Sequence, residues 1–408
     1  MKEESGLPLE GIRVVELATV VAAPTVGRML CSYGAEVIKV ESSRGDEMRG
    51  AGLFERVICE DDCNPLFTIQ NSGKELTSID LKTPEGMEAF IKMLSQADVF
   101  LTNVRSAALK RLSLDYETIR EKFPRLVYAH LSGFGPKGPA ASDPGFDSTA
   151  FWLRSGPAAD WQVPGSFPFV PTYAFGDMST SSVLLSGILM ALIGRERTGK
   201  GTLVNTSLFA CGIWCNAIGV VSHQKQFGGD RPLDPMRPAD PLSQTYLCAD
   251  GKWIGIYDND YQRDRSKFAG ILGFPELASN PEFATLATLS ETDAIVKAVE
   301  RLNEIFRTKT SDEWREILSK NSISCEVMHT LRDVGTDPQA VENDYLTQVD
   351  FGKGVKVMMP CPPIQFSEYK VRPYESAGVL GRDTDKVFTE LGYSQEQTEA
   401  LKAKGILK

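Results

Sequence analysis

One carboxylate stands at the start of a long apolar stretch of the chain. Asp177 follows Gly176 in YAFGDMSTSSVLLSGILMAL, which covers residues 173–192, and four small hydroxyl residues, 179–182, come soon after. An aspartate at the start of a helix is commonly a plain N-cap. An aspartate held beside an electrophilic carbonyl is also a nucleophile for covalent catalysis. Position alone leaves both interpretations open.

The charge of Asp177 depends on two opposing effects. Free N–H groups at a helix N-terminus favour an anion, whereas burial favours the neutral acid. Because the reference pKa of an aspartate is ~3.9, we expect Asp177 to be ionised at neutral pH unless desolvation dominates. Gly176 has no side chain and leaves room for a substrate to approach.

Residues typical of metal sites are few and poorly spaced. The three histidines have no partner at a telling spacing, and neither of two C-x3-C pairs has a second pair at the spacing of a zinc site. Cysteines four residues apart also share one face of a helix as small apolar residues. We therefore expect no metal. These residues are His130, His223, His329, Cys59 with Cys63, and Cys211 with Cys215.

Length and composition limit the class of protein. The 408 residues predict two domains, and the net charge of −10 argues against nucleic acid or an anionic membrane as a partner. The first residues lack the basic and apolar regions of a signal peptide, and no apolar run reaches the ~18 residues of a membrane span. Eight cysteines in this length predict reduced thiols of a cytoplasmic protein.

The first 135 residues must position Asp177, and strand and helix patterns alternate along them. Such alternation predicts a parallel sheet covered by helices. Thr83 is the expected N-cap of a helix with one apolar face. The predicted strands are IRVVEL, AEVIKVE, LTSIDL, DVFLTN and PRLVYAHLSGFG, and the predicted helices are PTVGRMLCSYG, TPEGMEAFIKMLSQA and LDYETIREKF.

The remaining segments are less regular. Residues 133–172 are rich in Gly, Pro and Ser, which is typical of a site-building region. A second apolar segment covers 203–221, and prolines crowd a predicted linker at 232–241. Residues 260–330 are mostly helical in pattern and predict a smaller domain, after which short strands and a final helix return.

The opening strand–helix–strand unit also resembles a dinucleotide-binding unit. Its second strand ends in an acid, Glu41, where such units bind a ribose hydroxyl. The linking stretch ATVVAAPTVGRML contains no G-x-G-x-x-G, so a pyrophosphate has no glycine-lined approach to the helix. Pro24 and the alanines beside it still permit another ligand to come close to the backbone. The pattern disfavours an NAD enzyme.

Five motifs in order resemble the class III coenzyme A transferases, the formyl-CoA and carnitine-CoA transferase type. The likeness covers nearly the whole chain, and it is greatest to the transferases that act on (R)-2-hydroxy acids in amino-acid fermentation. The motifs are LEGIRVVELATVVAAPTVGRMLCSYGAEVIKVES with GDEMR, SIDLKTPEG, ADVFLTN, LVYAHLSGFGPKGP, and GDMSTSSVLLSGILMAL with RTGKG.

The resemblance implies an α/β fold in an interlocked homodimer. A Rossmann-like large domain with a parallel sheet would use residues 1–222 and a return segment, 336–408. A linker and a smaller α+β domain would use 223–335. The resemblance also implies no permanently bound cofactor, coenzyme A thioesters as substrates, and an association with a dehydratase.

The resemblance further implies roles for particular residues. Asp177 would be the nucleophile that carries CoA as an aspartyl thioester, and the loop from Thr19 would line the thiol end of CoA. The apolar residues of that loop fit a bulky aliphatic or aryl acyl group. The expected CoA contacts are Val20, Val21 and Ala22 in the loop, Lys82, Asn103, Arg105 and Arg111 near the nucleotide and phosphates, and Phe146 and Asp147 near the thioester.

Three interpretations of function follow. The first is transfer of CoA from an acyl-CoA, such as cinnamoyl-CoA or an enoyl-CoA, to an (R)-2-hydroxy acid such as phenyllactate or 2-hydroxyisocaproate. The second is an acyl-CoA racemase; racemases of the superfamily carry a histidine base where this chain has Phe146, so α-proton exchange is not expected. The third is a non-catalytic CoA-binding subunit of a dehydratase. FGGD, at 227–230, is a candidate for a loop covering the nucleophile.

Overall fold

A computed structural model describes residues 6–50, 59–60, 63–167, 170, 173–227, 229, 234–352 and 354–408. The chain forms two compact units. The first comprises Met1–Pro157, Val170–Val221 and Pro338–Lys408, and the second comprises Ala158–Phe169 and Ser222–Asp337. The first unit therefore uses both ends of the chain, and it contains Asp177.

The first unit is built on a six-stranded sheet with the order β3-β2-β1-β4-β5-β6, in which every neighbouring pair is parallel. This is the order of a doubly wound Rossmann sheet, so the expected α/β fold with a parallel sheet is confirmed. Its strands are β1 (Arg13–Leu17), β2 (Glu36–Glu41), β3 (Glu75–Ser78), β4 (Val99–Thr102), β5 (Val127–Ser132) and β6 (Leu203–Ser207).

The central strands are buried on both faces, as parallel strands between two helical layers must be. All four residues of β4 are buried, and Val14 and Val15 of β1 are completely inaccessible to solvent. Phe100 of β4 packs edge-on against Phe90 and Tyr128, with ring centroids 5.7 and 5.1 Å apart. Aromatic edge-to-face contacts of this kind add to the burial of apolar surface.

Helices lie between the strands of the first unit in sequence, and further helices follow its last strand. Thr83 caps α3 as expected, because its Oγ1 accepts the N–H of Gly86 at 3.1 Å. These helices are α1 (Ala22–Ser32), α2 (Pro65–Asn71), α3 (Pro84–Ser95), α4 (Ser106–Arg111), α5 (Tyr116–Lys122), α7 (Phe175–Thr198), α8 (Leu208–Cys215) and α9 (Ala217–Ser222), with a 3-10 turn at Glu47–Gly50 and a π-helix at Asp147–Leu153. The short helix α6 (Pro157–Asp160) begins at the last residue of a first-unit segment, and its other residues belong to the second unit.

The apolar segment 203–221 is divided between a strand and two helices. Its first five residues form β6 beside β5, and Ser207 ends the strand and caps α8 by accepting the N–H of Ala210 at 3.0 Å. The sequence analysis did not separate these parts, because the apolar side chains run on across the boundary. A single serine N-cap marks the change from strand to helix.

The C-terminal segment returns to the first unit and covers the edge strand β3. Asp383 accepts the N–H of Leu76 at 2.8 Å, and Ile79 forms an isolated bridge with Leu407. An open edge is a template for unwanted pairing, so covering it protects the sheet. The elements of this segment are α16 (Pro338–Glu342), β10 (Leu346–Asp350), β11 (Lys356–Pro360), α17 (Thr384–Glu390) and α18 (Gln395–Ala403).

The second unit packs helices on a three-stranded antiparallel sheet with the order β7-β8-β9. At its core Tyr246 stacks on Phe306 with ring centroids 4.8 Å apart. Its elements are β7 (Thr245–Leu247), β8 (Trp253–Tyr257), α10 (Tyr261–Leu272), α11 (Glu276–Ser279), a 3-10 turn (Pro281–Phe283), α12 (Leu286–Glu291), α13 (Ala294–Phe306), α14 (Ser311–Lys320), β9 (Ser324–Val327) and α15 (Leu331–Val334).

Helix α7 is long and apolar enough, by length and composition, to cross a membrane, and it is the one such helix among the described residues. The sequence analysis did not expect such a segment, because serine and glycine interrupt its apolar runs. A core helix has the same length and composition, and α7 packs against α1, β5 and β6. Its first turn carries Asp177.

Candidate active site

The carboxyl ends of β1 and β4 bring two predicted site segments together. The loop after β1 begins at Ala18, and Asn103 directly follows β4, its parallel neighbour. Asn103 Oδ1 accepts the N–H of Thr19 at 3.1 Å, and its Nδ2 donates to the carbonyl of Thr19 at 2.7 Å. Ligand sites in open α/β sheets lie at this edge. Asn103 therefore holds the loop through both polar ends of its side chain.

The loop from Thr19 to Ala22 has an unusual backbone at its centre. Val20 has a φ of +69°, a left-handed conformation that a β-branched residue rarely adopts. Its N–H donates to Oδ1 of Asp46 at 3.0 Å. Val21 and Ala22 are buried, and α1 begins at Ala22. Strained backbone of this kind clusters at functional sites.

The candidate nucleophile lies in the first turn of α7. Asp177 is the third residue of the helix and is 8% exposed. The residue before the helix, Ala174, has a φ of +55°, so a second non-glycine residue near the site is left-handed. The plain N-cap interpretation does not describe this geometry, because Asp177 lies inside the helix.

Another acid takes the capping position. Oδ1 of Asp147 accepts the backbone N–H of Asp177 at 2.9 Å, and Asp147 also receives a hydrogen bond from the N–H of Gly176. Asp147 opens the π-helix that packs against α7. Its carboxylate satisfies two N–H groups that a helix start leaves without partners. Those two groups are therefore not directed at the Asp177 carboxylate.

The local environment raises the pKa of Asp177 far above the usual value of an aspartate. Burial raises its pKa, and the nearby carboxylate of Asp147 raises it further, to about 7. Burial also raises the pKa of Asp147, while its hydrogen bonds from Asp177, Gly176 and Trp152 act in the opposite direction. Burial of the Asp177 side chain therefore outweighs the effect of the helix N-terminus on its pKa. A large pKa shift of this kind is typical of functional groups.

Four consecutive hydroxyl residues come after Asp177 along α7. The hydroxyl oxygens of residues 179–182 each lie within hydrogen-bond distance of the carbonyl oxygen four residues earlier. Ser181 Oγ lies 2.7 Å from the carbonyl oxygen of Asp177 and 2.6 Å from that of Ala22. The Ser181 hydroxyl thus joins the turn that carries Asp177 to the first residue of α1. Asp177 therefore lies at the same site as the loop that was predicted to line the thiol end of CoA.

Aromatic side chains surround the start of α7. Phe175 contacts Phe151 and Trp152, with ring centroids 6.5 and 5.9 Å apart, and is itself 56% exposed. A Cβ atom at Gly176 would clash with Phe151 and with Asp147. The glycine before Asp177 therefore allows the close approach of the π-helix, whereas the sequence analysis connected it to substrate access.

The other predicted contacts are exposed and lie outside this cluster. Lys82 follows β3, and Arg105 and Arg111 lie at the two ends of α4 after β4; all three are exposed. Phe146 is 57% exposed beside Asp147. Two residues of FGGD, at 228 and 230, lie outside the described residues.

Several residues of the site were not identified from the sequence. They are Ser181, Phe151, Trp152 and Phe175 around Asp177, and Asp46 beneath Val20. The run of small hydroxyl residues was a usable signal for Ser181. Among the described residues, no group of three or more His, Cys, Asp or Glu side chains is placed to hold a metal ion.

Comparison with known proteins decides the family. The sequence profile of CoA-transferase family III matches residues 9–384. The chain belongs to CoA-transferase family III. The resemblance found in the motifs is thereby confirmed, and this family III transferase is an enzyme that uses CoA thioesters as substrates.

Two curated relatives of this family III transferase act on hydroxy acids by name. It is 33% identical to the (R)-2-hydroxy-4-methylpentanoate CoA-transferase of Clostridioides difficile over 98% of this chain and 99% of that protein. It is 31% identical to the cinnamoyl-CoA:phenyllactate CoA-transferase of Clostridium sporogenes over 96% and 95% of the two chains. A crystal structure of a CAIB/BAIF family protein from Brucella suis superposes with a TM-score of 0.80 at 30% identity, covering 95% of this chain and 100% of that one.

Proposed function

We propose that this enzyme moves CoA from an acyl-CoA, such as cinnamoyl-CoA or an enoyl-CoA, to an (R)-2-hydroxy acid such as phenyllactate or 2-hydroxyisocaproate. The observation that carries the proposal is the buried carboxyl of Asp177 in the first turn of α7, joined through Ser181 to the loop after β1. The names of the two curated relatives support this substrate class.

The reaction proceeds through covalent intermediates on Asp177. Its carboxylate attacks the acyl-CoA carbonyl, the C–S bond breaks, and CoA thiolate leaves behind a mixed anhydride. The thiolate then attacks the aspartyl carbonyl, which releases the donor acid and forms an aspartyl-CoA thioester. The acceptor carboxylate attacks that thioester and expels CoA thiolate, which leaves a second mixed anhydride between the acceptor and Asp177. The thiolate then attacks the acceptor carbonyl of this anhydride, which forms the new acyl-CoA and frees the Asp177 carboxylate. Two exchanges at one carboxyl replace a single difficult one.

Placement makes a weak nucleophile effective. A carboxylate fixed against a thioester can gain an effective molarity on the order of 10⁵ M. With a pKa of about 7, roughly half of the Asp177 carboxyls are ionised at neutral pH. The desolvation that raises this pKa also removes the water that stabilises the anion, so the ionised fraction is more reactive than a carboxylate in solvent.

Exposed groups at the site favour a bulky apolar acyl group on an anionic carrier. Phe146 and Phe175 present more than half of their surface to solvent beside the nucleophile. Lys82 and Arg105 are exposed cations that follow the carboxyl ends of β3 and β4, and Arg111 is exposed at the end of α4. Cations of this kind suit the phosphates of CoA. Phe146 cannot act as a base, so the arrangement supports transfer over racemisation.

The experiment is a covalent trap of the intermediate. The enzyme is incubated with cinnamoyl-CoA or isocaproyl-CoA, treated with hydroxylamine or borohydride, and digested for mass spectrometry. We expect a modification on the peptide that contains Asp177, and loss of at least 10³-fold in steady-state transfer for Asp177→Ala. Glu196→Ala removes an exposed carboxylate at the far end of the same helix and serves as the matched control.

Other outcomes select the alternatives. Normal transfer by Asp177→Ala would exclude this carboxyl as the nucleophile. Binding of CoA without labelling would favour a racemase or a non-catalytic CoA-binding subunit of a dehydratase. Exchange of the α-proton in deuterated water would then identify the racemase, and its absence the binding subunit.

We further propose that the enzyme is a cytoplasmic homodimer, associated in amino-acid fermentation with a dehydratase. Large apolar side chains on α7, α8 and α9 are 63–88% exposed, which is unusual for a monomer in water. They are Met190, Ile193, Trp214 and Ile218. A second copy of the chain would cover them.

Sedimentation tests the dimer. Ile218→Glu places a charge on the most exposed of these residues, and we expect it to shift the enzyme toward the monomer. Leu331→Glu changes an equally apolar residue, 72% exposed, in the second unit and is the control. A wild-type protein that sediments as a monomer would contradict the proposal, and co-purification tests the association with a dehydratase.

A further inference from the structure

A buried ion network lies beneath the loop after β1. The side chains of Glu16, Lys39 and Lys74 are completely inaccessible to solvent, and Asp46 is 2% exposed. The Glu16 carboxylate bridges the two lysines, at 3.1 Å from Lys39 Nζ and 2.7 Å from Lys74 Nζ. Asp46 pairs with Lys39 at 2.8 Å. Two cations and two anions balance one another in this network.

The two lysines hold the loop from both sides. Lys39 Nζ donates to the carbonyl of Ala18 at 2.8 Å, and Lys74 Nζ donates to the carbonyl of Pro24 at 2.8 Å. Between these two points, Asp46 accepts the N–H of Val20. Three backbone groups along residues 18–24 are therefore fixed by buried charges. Besides its contacts within the core, the network therefore makes three hydrogen bonds to the backbone of this segment.

Asp46 is the member that contacts the strained residue. Val20 is left-handed, and a β-branched residue held there costs free energy unless its surroundings impose the conformation. The backbone N–H of Asp46 is itself fixed by Glu41, whose carboxylate also accepts from Arg49. Lys39 holds the other oxygen of the Asp46 carboxylate. The orientation of Asp46 is thus determined from both sides.

The loop is also connected to the nucleophile. Ala22, two residues after Val20, accepts from Ser181, which also contacts the carbonyl of Asp177. A change in the backbone at Val20 therefore moves the start of α1 relative to Asp177. Misplacement of reacting groups by about 1 Å can cost 10²-fold in rate.

We propose that Asp46, oriented by Lys39, is a positioning residue for CoA transfer that holds Val20 in its left-handed conformation and thereby fixes the loop beside Asp177. The proposal rests on the proposed function, in which this loop lines the reacting end of the thioester. It does not make Asp46 a catalytic residue, because Asp46 acts through the backbone of Val20.

The test is a rescue experiment in the full-length enzyme. Asp46→Ala removes the acceptor, and we expect kcat to fall about 10- to 100-fold with a smaller change in KM for the acyl-CoA. Adding Val20→Gly should raise kcat at least 5-fold above that of Asp46→Ala alone, because glycine adopts a positive φ without strain. Val20→Ala shortens the side chain but keeps its Cβ atom, so it is the matched control and should restore little.

Hydrogen exchange gives a readout that does not depend on activity. The Val20 amide should exchange faster in Asp46→Ala than in the wild-type enzyme. If Asp46→Ala does not fold, Asp46→Asn keeps an oxygen acceptor without the charge, and we expect the same changes at smaller size.

Three results would overturn the proposal. They are a kcat within 2-fold of wild type, equal rescue by glycine and alanine at position 20, and unchanged exchange of the Val20 amide. The proposed function is tested separately by the adduct on Asp177. If that function is wrong, the wild-type enzyme forms no adduct there, whatever residue occupies position 46.

Discussion

The backbone N–H of Asp177 donates to Oδ1 of Asp147 at 2.9 Å, so one acid caps the helix whose first turn carries the other. The two carboxyls differ in what surrounds them. Asp147 receives hydrogen bonds from the helix start, whereas burial and the charge of Asp147 raise the pKa of Asp177. Asp147 thus has a structural role as the cap of α7, and Asp177 is the candidate for the reactive one.

The pH dependence of acylation should report the ionisation of Asp177. Below its pKa of about 7 the ionised fraction, and hence the single-turnover rate of acylation by an acyl-CoA, should fall about 10-fold per pH unit. Above pH 7 the rate should level off. Asp147→Asn removes the neighbouring charge and should move the midpoint to lower pH. A rate that does not change between pH 5 and 8 would rule out this assignment.

The same ionisation should reduce the stability of the folded enzyme at high pH. The pKa of Asp177 is raised from 3.8 to about 7 on folding, so its contribution is full below pH 3.8 and is lost as the pH rises through 7. Asp177→Asn cannot ionise, and its free energy of unfolding should exceed that of the wild type at pH 8, by a few kcal/mol at most. At pH 4 the advantage should vanish.

Denaturant unfolding at pH 4 and pH 8 measures this difference. Glu196→Gln changes an exposed carboxyl on the same helix and should give no comparable dependence on pH. An advantage of Asp177→Asn that is equal at both pH values would show that packing, and not ionisation, is responsible.

Substitution by alanine should have opposite effects on stability at two glycines of α7. A Cβ atom at Gly176 would clash with Phe151 and Asp147, so Gly176→Ala should displace the cap and lower both kcat, by at least 10-fold, and the melting temperature. A Cβ atom at Gly194 meets nothing within 4 Å. Gly194→Ala should leave transfer unchanged and stabilise the helix by roughly 0.5–1 kcal/mol. Equal activity of the two variants would contradict the close approach of the π-helix.

The hydroxyl of Ser181 should matter more than its neighbours on the same helix. Ser181→Ala leaves the carbonyl of Ala22 without this donor and should cost about 1–2 kcal/mol of stability together with a several-fold loss of kcat. Ser186 is exposed and donates only within the helix, to the carbonyl of Ser182 at 2.9 Å. Ser186→Ala should therefore stay within about 0.5 kcal/mol of wild type and keep its rate. Steady-state kinetics and thermal unfolding of both variants decide the point.

The sequence by itself determined the class of fold and the family. Apolar strands such as VFLT alternate with capped amphipathic helices, and only a parallel sheet between two helical layers buries both faces of such strands. Thr83 could be identified as a cap because capping acts over three residues. Gly176 and Asp177 were a local signal because they adjoin in sequence at the start of a long apolar stretch, although the structure places both inside the helix.

Only the tertiary structure decided how the site is assembled. Asp147 and Asp177 are 30 residues apart, and Asp46 reaches Val20 across 26 residues, so no local pattern joins them. The pKa of Asp177 depends either on burial or on the helix start. Which of the two dominates is decided by the group that accepts hydrogen bonds from the first N–H groups of α7. That group is Asp147, and its position follows from packing between segments distant in sequence, which local propensities do not encode.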